Sequence, residues 1–168
     1  GHSARDIYYT LYNNNISIEA KGFAMGVRVE HPQSLINKIQ YHSAAKNNYL
    51  PSASYSLVQQ VDNRGVYSFC MCPGGCIVPS STQNNQVVVN GMSASRRNSP
   101  YANSGIVVEL HPENLKNYTK YNELSGLKFQ EDFERMSFEA VCSGQQAPAQ
   151  RLADFISNTT SSTLPKCS

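Results

Sequence analysis

The stretch YSLVQQVDNRGVYSFCMC, Tyr55 to Cys72, decides the fold class of this 168-residue chain. Two runs rich in β-branched and aromatic residues flank the tetrad Asp62 to Gly65. Asp, Asn and Gly are the residues that tight turns select, and such runs on either side of a turn predict a β-hairpin. The centre of the chain is therefore expected to be an antiparallel sheet.

Further strands are predicted on both sides of this hairpin. The runs CIVPSST and QVVVNGMS repeat the arrangement around the turn Gln83-Asn84-Asn85, and GIVVEL is another strand. Upstream, ISIEAKGFAMGVRVEH alternates apolar and polar residues. This period of two predicts strands and allows a hairpin that turns at Lys21-Gly22.

Apolar residues at helical spacing predict helices at both ends of the chain. One helix covers residues 4–12, and a second begins after His31, where Pro32 suits a first helical turn. In the last third, a helical period runs from Leu127 to Ala140, and Pro148 opens a further helix. The predicted fold class is α+β: a mainly antiparallel β-sheet, compatible with a barrel-like closure, with helices at both ends.

Length and composition exclude several classes of function. Charged residues make up 15% of the chain, the formal net charge is +2, and there is no basic stripe, so we expect no nucleic-acid partner. No apolar run reaches the roughly 20 residues of a bilayer span, so we expect no membrane insertion. Five cysteines, an odd number, argue against a closed disulfide framework and for a reducing cytoplasm.

The chain is long enough for one domain with its own core. We expect that domain to cover residues 1–157 and the polar segment 158–168 to be a linker or tail. Both ends look cut from a longer protein. The sequence contains no catalytic-triad order, Walker A motif or G-x-G-x-x-G fingerprint, so it carries no dinucleotide-binding motif of its own.

The run FCMCPGGC, Phe69 to Cys76, places three cysteines around a Pro-Gly-Gly turn. Their Cys-x-Cys-x3-Cys spacing lacks the fourth ligand and paired knuckles of structural zinc sites, so we expect no metal. One interpretation is a redox or nucleophilic thiol, since the N–H groups of a turn stabilise a thiolate. The other is that Cys70 and Cys72, two residues apart on one strand face, are small buried hydrophobic residues.

The run NGMSASRR, Asn90 to Arg97, is the second unusual stretch. Ser93, Ser95 and Arg96 are candidates for holding an anionic group, the arginine through its bidentate guanidinium. The alternative is a solvated loop with ordinary surface arginines. Both interpretations stand on the sequence alone.

Five stretches occur in order along the chain: GHSARD, KGFAMGVRVEHPQSLI, GVYSFCMCPGG, VNGMSASRRNSPYANSGIVV and APAQRLADF. Together they resemble a bacterial family of FAD-dependent dehydrogenases, that is, NAD(P)/FAD-dependent oxidoreductases, whose full chains are much longer. The similarity runs from the first residue to Phe155. It implies a Rossmann-type FAD-binding domain with its glycine fingerprint upstream of Gly1 and a closing segment downstream of Ser168. The chain itself resembles the domain inserted between them.

The resemblance also implies where a site lies. It places Gly1, His2 and Ser3 near the cofactor. From the character of the two motifs we further expect Gly74 and Gly75 to bind the cofactor and Cys70 and Cys72 to be the catalytic thiols, whereas Cys76 departs from the family pattern and is incidental. On the same ground the expected substrate-binding residues are Ser93, Ser95 and Arg96, with Arg28 and Arg97 as alternatives for the arginine.

We therefore expect the non-Rossmann, substrate-side domain of a cytoplasmic FAD-dependent oxidoreductase. It would cover the flavin and shape the active site for an unknown small-molecule substrate, with the flanking FAD-binding Rossmann domain as its partner. These 168 residues lack a pyrophosphate site, so we expect them to be inactive alone. The alternative is a non-catalytic module that binds a protein or polar ligand and has buried, inert cysteines.

Overall fold

The computed structural model describes residues 3–42, 49–81, 83–141 and 146–166. Its strands are β1 (Phe23–Pro32), β2 (Val58–Val61), β3 (Arg64–Cys72), β4 (Gly75–Ser80), β5 (Val88–Ser93) and β6 (Tyr101–Leu110). Four of them form an antiparallel sheet in the order β1-β6-β3-β2, and β4 and β5 form a separate two-stranded ribbon. The predicted α+β class with antiparallel sheets is confirmed, and within the described residues neither sheet closes into a barrel.

The predicted central hairpin is confirmed as β2 and β3. Its turn consists of Asp62 and Asn63 alone, since Val61 already pairs with Arg64. Both turn residues have positive φ, 48° and 60°. This left-handed pair matches the right-handed twist of the flanking strands, and Asp and Asn are among the residues that tolerate it.

The hairpin predicted upstream, around Lys21-Gly22, is wrong. Residues 16–22 form no strand, and β1 pairs along its whole length with β6, from Phe23 opposite Leu110 to Pro32 opposite Tyr101. The alternating pattern identifies a half-buried strand, but it carries no information on which strand is the neighbour. Because β6 is hydrogen-bonded on both sides, by β1 and β3, its backbone groups are paired in the middle of the sheet.

Helices lie at both ends of the chain, as predicted. They are α1 (Arg5–Asn13), α2 (Gln33–Tyr41), α3 (Ser125–Glu139) and α4 (Leu152–Ile156), with 3-10 segments at Pro112–Asn114 and Lys116–Leu124. The predicted start of the last helix at Pro148 is wrong, since α4 begins at Leu152. Arg151 precedes it and its Nε donates to Asp154 Oδ2 at 2.6 Å, which holds the first turn at that point.

The buried core is small and lies between α2 and the end of the sheet. Ile36, Ala53 and Ala102 form its centre, and half-buried aromatic and sulfur side chains such as Tyr41 and Met71 pack against it. A second cluster is aromatic: the Phe129 ring of α3 lies 4.7 Å from the Phe133 ring, 5.4 Å from the Tyr118 ring and 6.2 Å from the Phe23 ring of β1. This cluster attaches α3 to the start of β1.

A buried ion pair fixes α1 to the other elements. The guanidinium of Arg5, 1% exposed, bonds Glu134 of α3 and also the side chain of Gln86, just before β5. The backbone N–H of Val87 donates to the carbonyl of Glu134 at 3.2 Å. The N-terminal helix is therefore anchored at the end of the ribbon where β4 turns into β5.

A histidine at the end of β1 makes stability depend on pH. His31 Nε2 lies 2.7 Å from the Tyr55 hydroxyl, and burial lowers the pKa of His31 from 6.5, with Glu30 opposing this shift. The unfolded chain therefore binds a proton that the folded chain resists, so stability is lost as pH falls from 6.5 toward the lower folded pKa.

We expect the free energy of unfolding to fall between pH 7.5 and 5.5, by less than about 1.4 kcal/mol per pH unit, the limit for one proton. Urea unfolding at several pH values measures this, and His31→Gln should flatten the dependence. His111→Gln, which replaces an exposed histidine after β6, is the matched control for the substitution itself. Equal slopes for the wild type and His31→Gln would contradict the assignment.

Candidate functional site

A β-bulge interrupts β3 at the predicted thiols. Phe69 pairs with Gly105 and Cys72 with Asn103, so three steps along β3 face two along β6. Cys70 lies inside this bulge with φ of 45° and is exposed, whereas Cys72 is back in register and half-buried. The interpretation of both thiols as buried residues of one strand face is therefore wrong, because Cys70 lies in the bulge and is exposed.

Arg28 of β1 reaches across β6 to this bulge. Its Nη1 donates to the carbonyl of Cys70 at 3.2 Å and to Asn103 Oδ1 at 2.5 Å, and it lies 4.0 Å from the sulfur of Cys72. No carboxylate of the described residues is within 4.0 Å of this guanidinium. The bulge thus places the Cys72 thiol and the Cys70 carbonyl beside a cation that lacks an ion-pair partner in the described chain.

The β4–β5 ribbon packs directly onto this cluster at Gly91. A Cβ at Gly91 would lie 2.2 Å from Arg28 Nη1 and 2.2 Å from Asn103 Oδ1, so a larger residue would displace these two side chains. Asn103 is fully buried, and its Nδ2 has no hydrogen-bond partner in the described structure. Arg28, Cys70, Cys72, Gly91 and Asn103, which we call the Arg28 cluster, come from three different stretches of the sequence resemblance.

The Pro-Gly-Gly turn packs against the protein itself. Gly74 has φ of +54°, and a Cβ there would lie 1.9 Å from the carbonyl oxygen of Arg97. Its N–H donates to Gln33 Oε1 at 2.6 Å, and Gly75 is in register with Ser93 on β5. Both glycines are buried. Their contact with a cofactor stays a prediction, and the structure uses their small size for internal packing.

The three predicted substrate-binding residues do not converge in the structure. The Ser93 hydroxyl donates to the carbonyl of Pro73 at 2.8 Å and so ties the ribbon to the turn. Ser95 and Arg96 are exposed in a turn closed by the bond from Arg97 N–H to the Ala94 carbonyl. Their role in substrate binding stays a prediction.

Of the predicted N-terminal cofactor residues, the structure describes only Ser3, which lies away from the turn. Gly1 and His2 fall outside the described residues, and Ser3 is exposed two residues before Arg5. Arg5 bonds the ribbon at its β4–β5 connection, whereas Gly75 begins the opposite end of β4, five residues or about 16 Å along the strand. The described structure therefore does not bring Ser3 together with Gly74 and Gly75.

Sequence reasoning missed Asn103 and Gly91 as parts of a site. The predicted strand began at Gly105, whereas β6 begins at Tyr101 and includes Asn103. A polar residue within a strand that pairs on both sides signals a specific partner, because buried amides are normally hydrogen-bonded. The sequence showed the residue, but only the pairing on both sides showed that it is buried.

Several other features bear on the site. Cys70, Cys72 and Cys76 are free thiols. Among the described residues, no group of three or more His, Cys, Asp or Glu side chains is arranged to hold a metal ion. Every helix in that part of the chain is too short or too polar to cross a membrane.

Comparison with known proteins identifies the family. Residues 22–168 match the family described as "FAD-dependent protein, C-terminal domain-like", and because the match covers most of the chain, the chain belongs to this family. A protein of Clostridium beijerinckii (strain ATCC 51743 / NCIMB 8052), described as "Uncharacterized protein", is 43% identical over 166 residues. The aligned region covers 98% of this chain and 31% of that protein. The predicted resemblance to FAD-dependent proteins is confirmed at the level of the family.

Proposed function

We propose that this chain is the substrate-side domain of an FAD-dependent oxidoreductase of the dehydrogenase type. It covers the flavin and shapes the pocket for a small-molecule substrate. The observation that carries the proposal is the match of residues 22–168 to a domain family of FAD-dependent proteins. FAD supplies the electron or hydride transfer when it is bound, and protein side chains bind and orient the reactants.

The residues described here fit the reactive end of FAD and not its phosphates. A pyrophosphate site needs a glycine-rich turn whose free N–H groups open a helix. The glycine turn at Gly74 instead opens strand β4, and its N–H is bonded to Gln33. The Arg28 cluster, by contrast, offers a cation and an exposed thiol to a polar ring or substrate. We therefore assign the phosphates to a flanking Rossmann domain.

The surface of the chain supports a flanking domain as its partner. One face of the sheet carries exposed apolar side chains. On this face Val27 of β1, which is 57% exposed, lies opposite Ile106 of β6. Leu57, which is 56% exposed, lies beside β3, the next strand of the sheet. An apolar sheet face of this kind is typical of an interface. Val27 and Arg28 are consecutive on β1, so this face is opposite to the one that carries the Arg28 cluster, and we assign it to an interface separate from the one that presents the flavin.

Cofactor content tests this division of labour. We expect the full-length protein to contain one FAD and the 168-residue chain alone to bind FAD weakly or not at all, as absorbance after gel filtration would show. Tight stoichiometric FAD binding by the short chain would contradict the assignment of the phosphates to another domain. A full-length protein that neither copurifies with FAD nor takes it up would contradict the proposed function.

We propose the reducing cytoplasm as the location of the protein. The described cysteines, Cys70, Cys72 and Cys76, are all free thiols, which fits this location.

Cys70 and Cys72 are the thiols proposed nearest the flavin. We expect Cys70→Ser and Cys72→Ser in the full-length protein to lower the rate of flavin reduction by NADH or NADPH at least about tenfold, equivalent to about 1.4 kcal/mol of barrier. Stopped-flow absorbance measures this rate. Cys76→Ser is the matched control, because Cys76 lies in the ribbon opposite Met92. Unchanged rates in the first two variants would favour the alternative, a non-catalytic binding module.

A further inference from the structure

We infer that Arg28 is the residue that binds a carboxylate of the substrate, in a site completed by Cys70, Cys72 and Asn103. This inference rests on the proposed function for the identity of the ligand as a substrate, and it adds the chemical class of that ligand. The three residues around Arg28 come from β3 and β6, so the tertiary structure assembles the site. Three observations support it.

The guanidinium of Arg28 has an unused binding edge. All of its hydrogen bonds to described residues are made by Nη1, which leaves Nε and Nη2 without a partner in that part of the chain. These two N–H groups form the fork that matches the two oxygens of a carboxylate. Glu30 lies two residues along β1, yet it is not within ion-pair distance of this fork. A half-buried guanidinium with two unused N–H groups is stabilised by a bound anion, because burial removes part of its hydration.

The fork is held in place rather than mobile. Asn103 Oδ1 and the carbonyl of Cys70 both accept from Nη1, and Asn103 is fully buried. The bulge with its left-handed Cys70 turns that carbonyl toward Arg28, and Gly91 closes the other side. Bulges of this kind occur next to active sites, where they re-aim groups of the strand. The arginine is therefore pre-oriented for a ligand.

Asn103 contributes a second donor at the same place. Its oxygen is used by Arg28, and its Nδ2 is buried without a partner in the described structure. Buried donors in native proteins are nearly always satisfied, by protein, by water or by a bound group. The unsatisfied amide indicates that a further polar group belongs beside Asn103 and Nη1 of Arg28.

Arg28 and Arg96 compete for the role of anion-binding residue. Arg96 is exposed in a turn, where water and salt screen its charge. Arg28 is half-buried, fixed, and 4.0 Å from a thiol of the proposed reaction site. The structure therefore favours Arg28 over the arginine that the sequence suggested.

Protection of Cys72 from alkylation tests the inference without a known substrate. The probes are acetate and oxalate, with chloride at the same ionic strength as the reference, and iodoacetamide as a neutral reagent read site by site by mass spectrometry. A carboxylate at ten times its dissociation constant should slow alkylation of Cys72 about tenfold. Arg28→Gln should abolish the protection. Arg28→Lys, which keeps the charge and loses the fork, should weaken the affinity about tenfold and tests the site even if the glutamine variant does not fold.

Matched variants decide between the two arginines. Arg64→Gln, at the other end of β3, should keep full protection. Arg96→Gln should also keep the protection of Cys72. If Arg96→Gln loses this protection while Arg28→Gln retains it, the anion binds at Arg96 in the exposed turn and the inference is overturned. Equal protection by chloride would mean charge screening and would also overturn it.

The experiment is run on the 168-residue chain and on the FAD-loaded full-length protein. Protection in both supports a substrate carboxylate on Arg28. Protection that disappears when FAD is bound would show that the flavin itself occupies the fork, and would overturn the inference. If the full-length protein binds FAD but neither form shows Arg28-dependent protection of Cys72, this inference is refuted and the proposed function is not. Protection in the short chain and no FAD in the full-length protein refutes the proposed function instead.

Discussion

Gly74→Ala is expected to lower the free energy of unfolding by about 3 kcal/mol or more, the sum of a left-handed backbone penalty and a steric clash. The new Cβ would lie 1.9 Å from the carbonyl oxygen of Arg97 and 2.1 Å from its carbonyl carbon. Both are backbone atoms, so no side-chain rotation relieves the contact. Movement of the turn would instead break the bond from Gly74 N–H to Gln33 and the bond from Ser99 N–H to the Gly74 carbonyl.

Urea unfolding followed by circular dichroism measures this change. Gly126→Ala in α3 is the matched control, because its Cβ would meet Phe23 Cε1 at 3.0 Å, the edge of a side chain that can turn. Alanine also favours the helix by up to about 1 kcal/mol, so we expect this control to be nearly neutral or stabilising. If Gly74→Ala lowers the free energy of unfolding by less than about 1 kcal/mol, the loss is smaller than the left-handed backbone penalty alone. That result would contradict the packing of the turn.

Arg5→Met is expected to destabilise the chain by about 3 to 5 kcal/mol, the usual cost of removing one partner of a buried ion pair. Arg5 and Glu134 have side chains only 1% and 10% exposed. Loss of the guanidinium leaves the Glu134 carboxylate desolvated, and it also removes the bond to Gln86 that holds α1 to the ribbon. Total stabilities of domains are about 5 to 15 kcal/mol, so the variant should be close to unfolding at room temperature.

Two further variants separate the buried pair from a general loss of charge. Arg135→Met removes a cation that pairs with Asp132 and Glu139 on the same helix, with 49% of its side chain exposed, and should change the free energy of unfolding far less than Arg5→Met does. Arg5→Met combined with Glu134→Met should recover part of the loss, because no charge is then left buried. If the double variant is less stable than Arg5→Met alone, the carboxylate is not the source of the cost.

Local chemistry was sufficient to predict two hairpins. The tetrad Asp62 to Gly65 predicts a turn, and the turn forms at Asp62 and Asn63. The ribbon around Gln83-Asn84-Asn85 and the helical period from Leu127 onward were predicted for the same reason, since turn residues and apolar spacing act over a few positions. The error at residues 16–22 has the converse cause: the partner of β1 is β6, about 80 residues away, and periodicity contains no term for such a contact.

The candidate site shows the same division. The sequence identified the stretches that carry Arg28, Cys70 and Cys72, and residue types alone indicated anion and thiol chemistry. It ranked Arg96 first because a cluster of serines and arginines adjacent in sequence resembles an anion site. The structure separates that cluster into a half-buried Ser93, bonded to the Pro73 carbonyl, and an exposed turn.

The sequence by itself determined the α+β class, the hairpin turns and the helices at both ends, because these depend on neighbours a few residues apart. Tertiary structure alone decided that Arg28 meets the bulge of β3. That meeting requires β6 to lie between β1 and β3, the register to shift by one residue at Cys70, and Gly91 of a separate ribbon to leave room above the guanidinium. Each condition is a long-range contact, and such contacts are selected by the packing of the whole chain rather than by any local pattern.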